Sequence, residues 1–187
     1  MKTDSIEELL KADAARMAAL HALAALALPD AWLAAGFVRN LVWDALHGYQ
    51  PTPLNDIDVI FFDAEDRRGD RAHRAQAELL YQQPEQHWQV RNQALMHIRN
   101  GDRPYLSCAD AMRFWPEVET AVGARIVRGG RIELLAPFGT ESLRAGRITP
   151  NPKRSRDIFF DRLASKRWLL HWPKLIVEYD QAGRVAL

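Results

Sequence analysis

The chain has 187 residues, of which 48% are hydrophobic and 26% charged, a composition that excludes a largely disordered protein. Lys and Arg total 25 against 24 Asp and Glu, so the net charge of +1 gives no general attraction to a polyanion. The single cysteine, Cys108, excludes an intrachain disulfide and a cysteine-based zinc site. The apolar stretches are too short and interrupted to span a bilayer, so we expect a cytoplasmic protein with no membrane partner.

Helices and short strands alternate along the predicted chain. A capping-box pattern at Ser5 and Glu8 opens a helix to about Leu28, which Pro29 ends. Apolar and β-branched runs predict strands over 31–35, 57–62 and 88–90, and a hairpin over 124–135 around Gly129-Gly130. Helical patterns cover 38–46, 67–82, 110–115 and 157–171. The order favours an α/β (α+β) fold with a mixed central sheet.

We predict one domain over residues 1–187, with an amino-terminal helix at about 5–28 and a core at about 31–175.

The most informative pair of side chains is Asp56 and Asp58. Residues two apart on a strand point to the same face, so the two carboxylates lie side by side while Ile57 and Val59 point into the core. Two close carboxylates repel each other unless a cation lies between them, and Mg²⁺ prefers oxygen ligands. Asp-x-Asp near a turn more often caps a helix, but the apolar run after Asp58 favours a catalytic metal site for Mg²⁺ or Mn²⁺.

Gly36 lies between a predicted apolar strand and a predicted helix. A glycine there allows a ligand close to the backbone, and the free N–H groups of a helix start attract phosphate. Arg39 lies in the first turn and can reach a phosphate oxygen. A plain strand–helix turn with a solvated Arg39 is the alternative.

The combined pattern of Gly36–Asn40, Leu46–Gly48 and Asn55–Val59 resembles the head domain of tRNA CCA-adding enzymes and poly(A) polymerases. That group has a glycine pair, then Val-Arg-Asp, Leu-Leu-Gly and Asp-Ile-Asp. Over roughly Ala31–Leu175 the chain resembles a family of small bacterial nucleotidyltransferase-fold proteins. The further similar segments are 90–97, 136–139, 150–154 and 167–174.

The resemblance implies a nucleotidyltransferase fold that transfers a nucleoside monophosphate from a nucleoside triphosphate to a hydroxyl, with two Mg²⁺ ions. It implies that Asp56 and Asp58 bind metal and that Gly36 and Phe37 offer backbone N–H groups to the phosphates, next to Arg39 and Asn40. Phe37 stands where we align the second glycine, so we expect its side chain to narrow the phosphate site. Without the long tRNA-binding region, CCA addition itself is not expected.

The third carboxylate of that superfamily has no clear counterpart. The candidates for its position are Asn92, which replaces an acid in the resemblance, Glu133 on the hairpin, and Asp63. His97 is a further candidate ligand or base, although a lone histidine is more often structural.

The acceptor, whether a small molecule, RNA or a protein, is not identified by these residues. Two alternatives remain: a regulatory protein that binds metal and nucleotide without catalysis, and a small nucleic-acid-binding domain. The second would use the basic residues Lys153, Arg154, Arg156, Arg162, Lys166 and Arg167, which otherwise form a solvated helix face. Trp168 and Trp172, four residues apart, are expected to pack the last helix on the sheet.

Overall fold

The computed structural model describes residues 5–178. Helices and strands follow one another along this part of the chain. The helices are α1 (Ile6–Ala12), α2 (Ala14–Ala25), α3 (Gly36–His47), α4 (Asp70–Gln82), α5 (Gln93–Asn100), α6 (Cys108–Met112), α7 (Glu141–Arg144), α8 (Arg156–Lys166) and α9 (Trp168–His171). The strands are β1 (Trp32–Ala34), β2 (Asp56–Phe61), β3 (His87–Asn92), β4 (Gly123–Ile126), β5 (Ile132–Leu135), β6 (Arg147–Ile148) and β7 (Ile176–Val177).

The central sheet is mixed. Its strands lie in the order β3-β2-β1-β4-β5, with β2 and β3 parallel and the other neighbours antiparallel. Helix α4 makes the crossover that two parallel strands require. Strands β6 and β7 pair separately, in parallel. The predicted α/β class with a mixed sheet flanked by helices is confirmed.

The two faces of the sheet carry different side chains. The first face contributes Leu33, Ile57, Val59 and Ala124, all 0% exposed, to the main core. Apolar residues of α1, α2, α3 and α4 also belong to that core: Ile6, Leu10, Leu20, Leu23, Phe37, Val38, Leu41, Ala75 and Leu79. Alternate residues of β1 and β2 therefore point to a second face.

The second face is covered only in part. Trp32, Ala34 and Ile60 form a smaller apolar cluster there with Cys108 and Met112 of α6. Because α6 covers the Trp32–Ile60 end, the opposite end of β2 stays open. The beginning of β2 is therefore the part of the sheet where a ligand has access.

Two predicted helices are interrupted in the structure. The first is broken at Asp13, whose extended backbone ends α1 and whose carboxylate accepts the Arg16 N–H to cap α2. The last is broken at Arg167, which has φ 52° and ψ 33° and separates α8 from α9. Neither break involves glycine or proline, so the sequence pattern gave no signal for them.

The short elements α5, α7, β6 and β7 were not predicted, since their few residues have no distinctive periodicity. Within residues 5–178, no helix has both the length and the apolar character needed to cross a bilayer.

Candidate functional site

The acidic pair lies on the open end of β2. Asp56 is exposed and Asp58 is half-buried, whereas Ile57 and Val59 between and after them are 0% exposed. The alternation predicted from the sequence is therefore present, and both carboxylates are on the second face of the sheet. Asp58 pairs across the sheet with Ala34 of β1, a side chain too small to cover it.

The surroundings of Asp58 disfavour its charged form. Burial raises the pKa of Asp58, and the nearby charge of Asp56 raises it further. Arg39, Lys166 and Arg91 lower the pKa but do not cancel the first two effects. A carboxylate pair in this state is stabilised by any cation that binds between the two groups.

The amino-terminal end of α3 begins directly after β1. Ala35 joins the two elements and its side chain gives no hydrogen bond to cap the helix. The first N–H groups of an α-helix, here those of Gly36 and Phe37, have no acceptor within the helix, and Gly36 lines the candidate pocket. A β-carbon on Gly36 would lie 3.3 Å from Nδ2 of Asn40, which shows that Asn40 folds back over the helix start.

The expectation that Phe37 narrows this site is wrong. Its side chain is 1% exposed and packs in the main core, because position 37 of α3 faces the sheet and not the pocket. The glycine-like backbone is instead at Ala35, with φ 55° and ψ −122°. The positive-φ backbone of the loop that leads into α3 is therefore at Ala35, one residue before Gly36.

Arg39 is held by neighbouring groups on several sides. It donates to Thr120 Oγ1 at 2.7 Å and to Asn40 Oδ1 at 2.9 Å. Its guanidinium lies 4.9 Å from the ring centroid of Trp43 and 4.6 Å from that of Trp168. Its Nε is buried without a partner among the described residues. The side chain lines the candidate pocket but is only 6% exposed, which differs from a solvated first-turn arginine.

The charge on Arg39 is also affected by its surroundings. Burial lowers the pKa of Arg39 to about 10, with Glu117 as the largest opposing influence. The group therefore stays positively charged at neutral pH. Its charge lies close enough to Asp58 to favour the ionised form of that carboxylate.

One open pocket of about 680 Å³ joins these elements. The acidic pair and the start of α3, with Arg39 and Asn40, form one side of it. Helices α8 and α9 form the other side, with Arg162 and Lys166 on α8 and Arg167 at the junction of the two helices. A pocket that holds both carboxylates and basic side chains suits a ligand that carries phosphates and bound cations.

The structure does not bring the candidate third residues to this pocket. Asn92 is 3% exposed, and its side chain bonds the backbone of Asp63 and caps α5. His97 bonds the Ala94 carbonyl through Nδ1. Asp63 pairs with Arg71.

Glu133 is on β5, three strands from β2 and so roughly 14 Å away, and it pairs with Arg125 at 2.8 Å. Over residues 5–178, no group of three or more His, Cys, Asp or Glu side chains converges as metal ligands would.

The basic run near the carboxy-terminal end does not form one surface. Arg154 pairs with Asp102 and packs near Phe114, away from the pocket. Arg162 pairs with Glu117, which is 1% exposed, and reaches the pocket wall from there. A continuous basic face for nucleic acid is therefore absent from the described part of this run.

Trp168 and Trp172 belong to the main core, which they share with residues of the sheet. They pack on Trp43 of α3, with ring centroids 5.6 and 5.2 Å away. Trp172 Nε1 also donates to Asp44 at 2.8 Å, and Asp44 accepts the N–H of Thr52 at 2.6 Å. These contacts fix α9 and the segment before β2 to α3, so they set the width of the pocket.

Several pocket residues were missed by sequence reasoning. Thr120 and Thr52 gave no signal, because isolated threonines are common in loops. Gln89 lies beside Asp58 on the neighbouring strand, and only the register of β2 and β3 reveals it.

The mixed sheet, with an acidic pair on one strand next to the free start of a helix, matches the nucleotidyltransferase fold of a solved head domain. A solved structure described as an NMR structure that reveals a CCA-adding enzyme head domain superposes with a TM-score of 0.81 at 34% identity, covering 92% of this chain and 94% of the other. The structure of tRNA-processing enzyme complex 3 gives a TM-score of 0.53 at 14% identity, which shows the fold alone; the match covers 88% of this chain and 43% of that one.

The sequence matches the nucleotidyltransferase family over residues 21–177, and the chain belongs to that family. No curated protein matches it. The family and the fold support nucleotidyl transfer as the general activity and a nucleotide as a substrate. The predicted resemblance to this family, and more distantly to the CCA-adding head domain, is confirmed.

Proposed function

We propose that the protein transfers a nucleoside monophosphate from a nucleoside triphosphate to a hydroxyl group of an acceptor, with Mg²⁺ or Mn²⁺. The observation that carries this proposal is the single pocket that joins the acidic pair, the free start of α3 and the basic side chains on the other side. A triphosphate with its cation has the matching arrangement of charge. The acceptor, a small molecule, RNA or a protein, enters from the open side.

The residues present suit a hard divalent cation. Asp56 and Asp58 offer carboxylate oxygens from one face of β2, which is the donor type that Mg²⁺ prefers. They are the residues that would hold it. When bound, such a cation neutralises triphosphate charge and makes an acceptor hydroxyl more acidic.

The other residues bind and orient the nucleotide. The N–H groups of Gly36 and Phe37 donate hydrogen bonds to phosphate oxygens. Arg39 donates to the amide oxygen of Asn40 and so fixes that side chain. The NH₂ group of Asn40 is then free to donate to a phosphate oxygen. Lys166 and Arg167 add positive charge from the other side of the pocket. These interactions orient the triphosphate so that its innermost phosphorus faces the acceptor.

Thermal melting with each nucleoside triphosphate, with and without Mg²⁺, tests this proposal. A ligand at about a hundred times its dissociation constant adds roughly 2.7 kcal/mol to the stability of the folded state. We expect this increase in stability in the wild type, only with Mg²⁺ present, and we expect it to be absent in the Asp56→Asn/Asp58→Asn variant.

The control is Asp161→Asn/Glu85→Gln, which removes two exposed carboxylates outside the pocket lining. It should keep the gain. An equal gain in stability in the folded Asp56→Asn/Asp58→Asn variant would show that the acidic pair is not part of the nucleotide site.

A binding protein without catalysis is the second candidate, because no third acidic ligand converges with the pair in residues 5–178. Release of pyrophosphate from a bound triphosphate in the presence of candidate acceptors separates the two functions. Binding without release, across small-molecule, RNA and protein acceptors, would favour the second candidate.

A further inference from the structure

The middle of β3 places one more polar side chain beside the acidic pair. Gln89 is the register partner of Asp58 in the parallel pairing of β2 and β3. Register partners on neighbouring strands point to the same face and lie about 4.8 Å apart at the backbone. Trp88 and Val90, on either side of Gln89, are 4% and 2% exposed and face the core. Gln89 therefore shares the second face with Asp56 and Asp58 and lines the same pocket.

The amide of Gln89 is available to a ligand. The side chain of Gln89 is half-buried. Within residues 5–178 its amide makes no hydrogen bond to protein. The amide atoms are also not among the fully buried polar atoms that lack a partner. The nearby Gln76 differs, because its Oε1 accepts the Val90 N–H at 3.1 Å and so fixes β3 to α4. Gln76 thus has a structural bond, whereas the Gln89 amide opens into the pocket.

We propose that the side-chain oxygen of Gln89 is the third protein ligand of the divalent cation at Asp56 and Asp58. The inference rests on the proposed function. Amide carbonyl oxygens are ordinary ligands for hard divalent cations, together with carboxylates. The position explains why no third acid was found: the third oxygen donor is an amide, on the strand next to the pair.

A neutral third ligand has chemical consequences. The site carries two negative charges, so its cation affinity is lower than that of a three-carboxylate site. The amide has no basic atom at neutral pH and cannot accept a proton from the acceptor hydroxyl. Gln89 therefore holds the cation and does not act as a general base. Restoring a carboxylate at this position is expected to strengthen cation binding.

Titration of the full-length protein with Mn²⁺ tests this inference. The free ion is measured by electron paramagnetic resonance, with no nucleotide present. Relative to wild type, we expect Gln89→Glu to tighten Mn²⁺ binding by about tenfold and Gln89→Leu to weaken it by about tenfold, following the number and charge of the ligands. Circular dichroism of each variant reports whether it is folded.

The matched control is Gln86→Glu, which adds the same charge three residues earlier, outside the pocket lining. It should leave the affinity for Mn²⁺ unchanged. Equal tightening in Gln86→Glu and Gln89→Glu would show a general effect of charge and overturn the assignment.

The variant Asp58→Asn distinguishes a failure of the Gln89 assignment from a failure of the proposed function. If Asp58→Asn loses Mn²⁺ binding while folded Gln89→Leu keeps wild-type affinity, the Gln89 assignment fails and the proposed cation site at the pair stands. If Asp58→Asn binds Mn²⁺ as wild type does, the cation is not at the pair, and the assignment and the proposed function fail together.

Discussion

At its beginning, strand β2 has one apolar face and one polar face. On the first face, Ile57, Val59 and Phe61 are all 0% exposed and packed in the main core. On the second face, Asp56 is exposed and Asp58 half-buried, with Gln89 next to them on β3. Six consecutive residues thus provide both an apolar layer and a polar site.

The difference shows how a strand can hold charged groups in place without a rigid polar network. The apolar face holds β2 in position, since burial of each large side chain contributes about 1.5–3 kcal/mol. The polar face then needs few stabilising contacts of its own. Repulsion between its carboxylates is tolerated because the opposite face supplies the stability.

Among the substitutions that test the difference between the two faces, we expect the largest change in stability from Ile57→Ala. Loss of this buried side chain should lower the free energy of unfolding by about 2–5 kcal/mol, from lost burial and the cavity left behind. Urea unfolding measures it. In folded samples, Mg²⁺-dependent nucleotide binding should persist.

Asp56→Ala, one residue away on the open face, is the matched change. Its side chain is exposed, so the free energy of unfolding should change by no more than about 0.5 kcal/mol. Similar losses at the two positions would contradict the division of roles between the faces.

A smaller effect is expected from pH, measured without divalent cations. Burial and the charge of Asp56 raise the pKa of Asp58 above its usual 3.8, so ionisation of Asp58 destabilises the folded state relative to the unfolded chain. The stabilising contribution of protonated Asp58 is complete below pH 3.8 and is lost as the pH rises through the raised pKa. Asp58→Asn should therefore be more stable than wild type at neutral pH, and the two should converge in acid.

Urea midpoints of both proteins across pH, in the presence of a chelator, give this difference. A constant difference at all pH values would mean that the effect arises from packing of the amide and not from ionisation.

The smallest effect concerns the entry to α3. Ala35 has φ 55°, a backbone conformation that favours glycine, so Ala35→Gly should stabilise the fold by about 1 kcal/mol. The matched change is Ala34→Gly on β1, where glycine only adds flexibility and removes a buried methyl group, and which should destabilise by about 1 kcal/mol. Urea unfolding of both variants measures the difference. Destabilisation by both would show that the backbone at Ala35 is not strained.

The sequence was sufficient to predict the local arrangement at β2. The alternation over residues 56–59 has a period of two, and only one assignment of faces buries Ile57 and Val59 while the two carboxylates stay accessible. The helix start after β1 was signalled by Gly36, and the helix end by Gly48, which has φ 70°. These features depend on neighbours in the chain, which is why a single sequence predicts them.

Other features depended on contacts between distant segments. The direction of Phe37 follows from how α3 lies on the sheet. The positions of Arg154 and Arg162 follow from their partners Asp102 and Glu117, which lie 52 and 45 residues away in the chain. No local pattern distinguishes a solvated arginine from one paired at such a distance.

The sequence by itself determined the fold class, the family resemblance and the acidic pair, since each is written in short periodic or contiguous motifs. Only the tertiary structure decided which residues surround that pair. Gln89 lies beside Asp58 because β2 and β3, joined through α4, pair in parallel with these two residues in register. Arg39 is enclosed because α9 folds back onto α3. Packing between segments far apart in the chain completes the site that the local sequence begins.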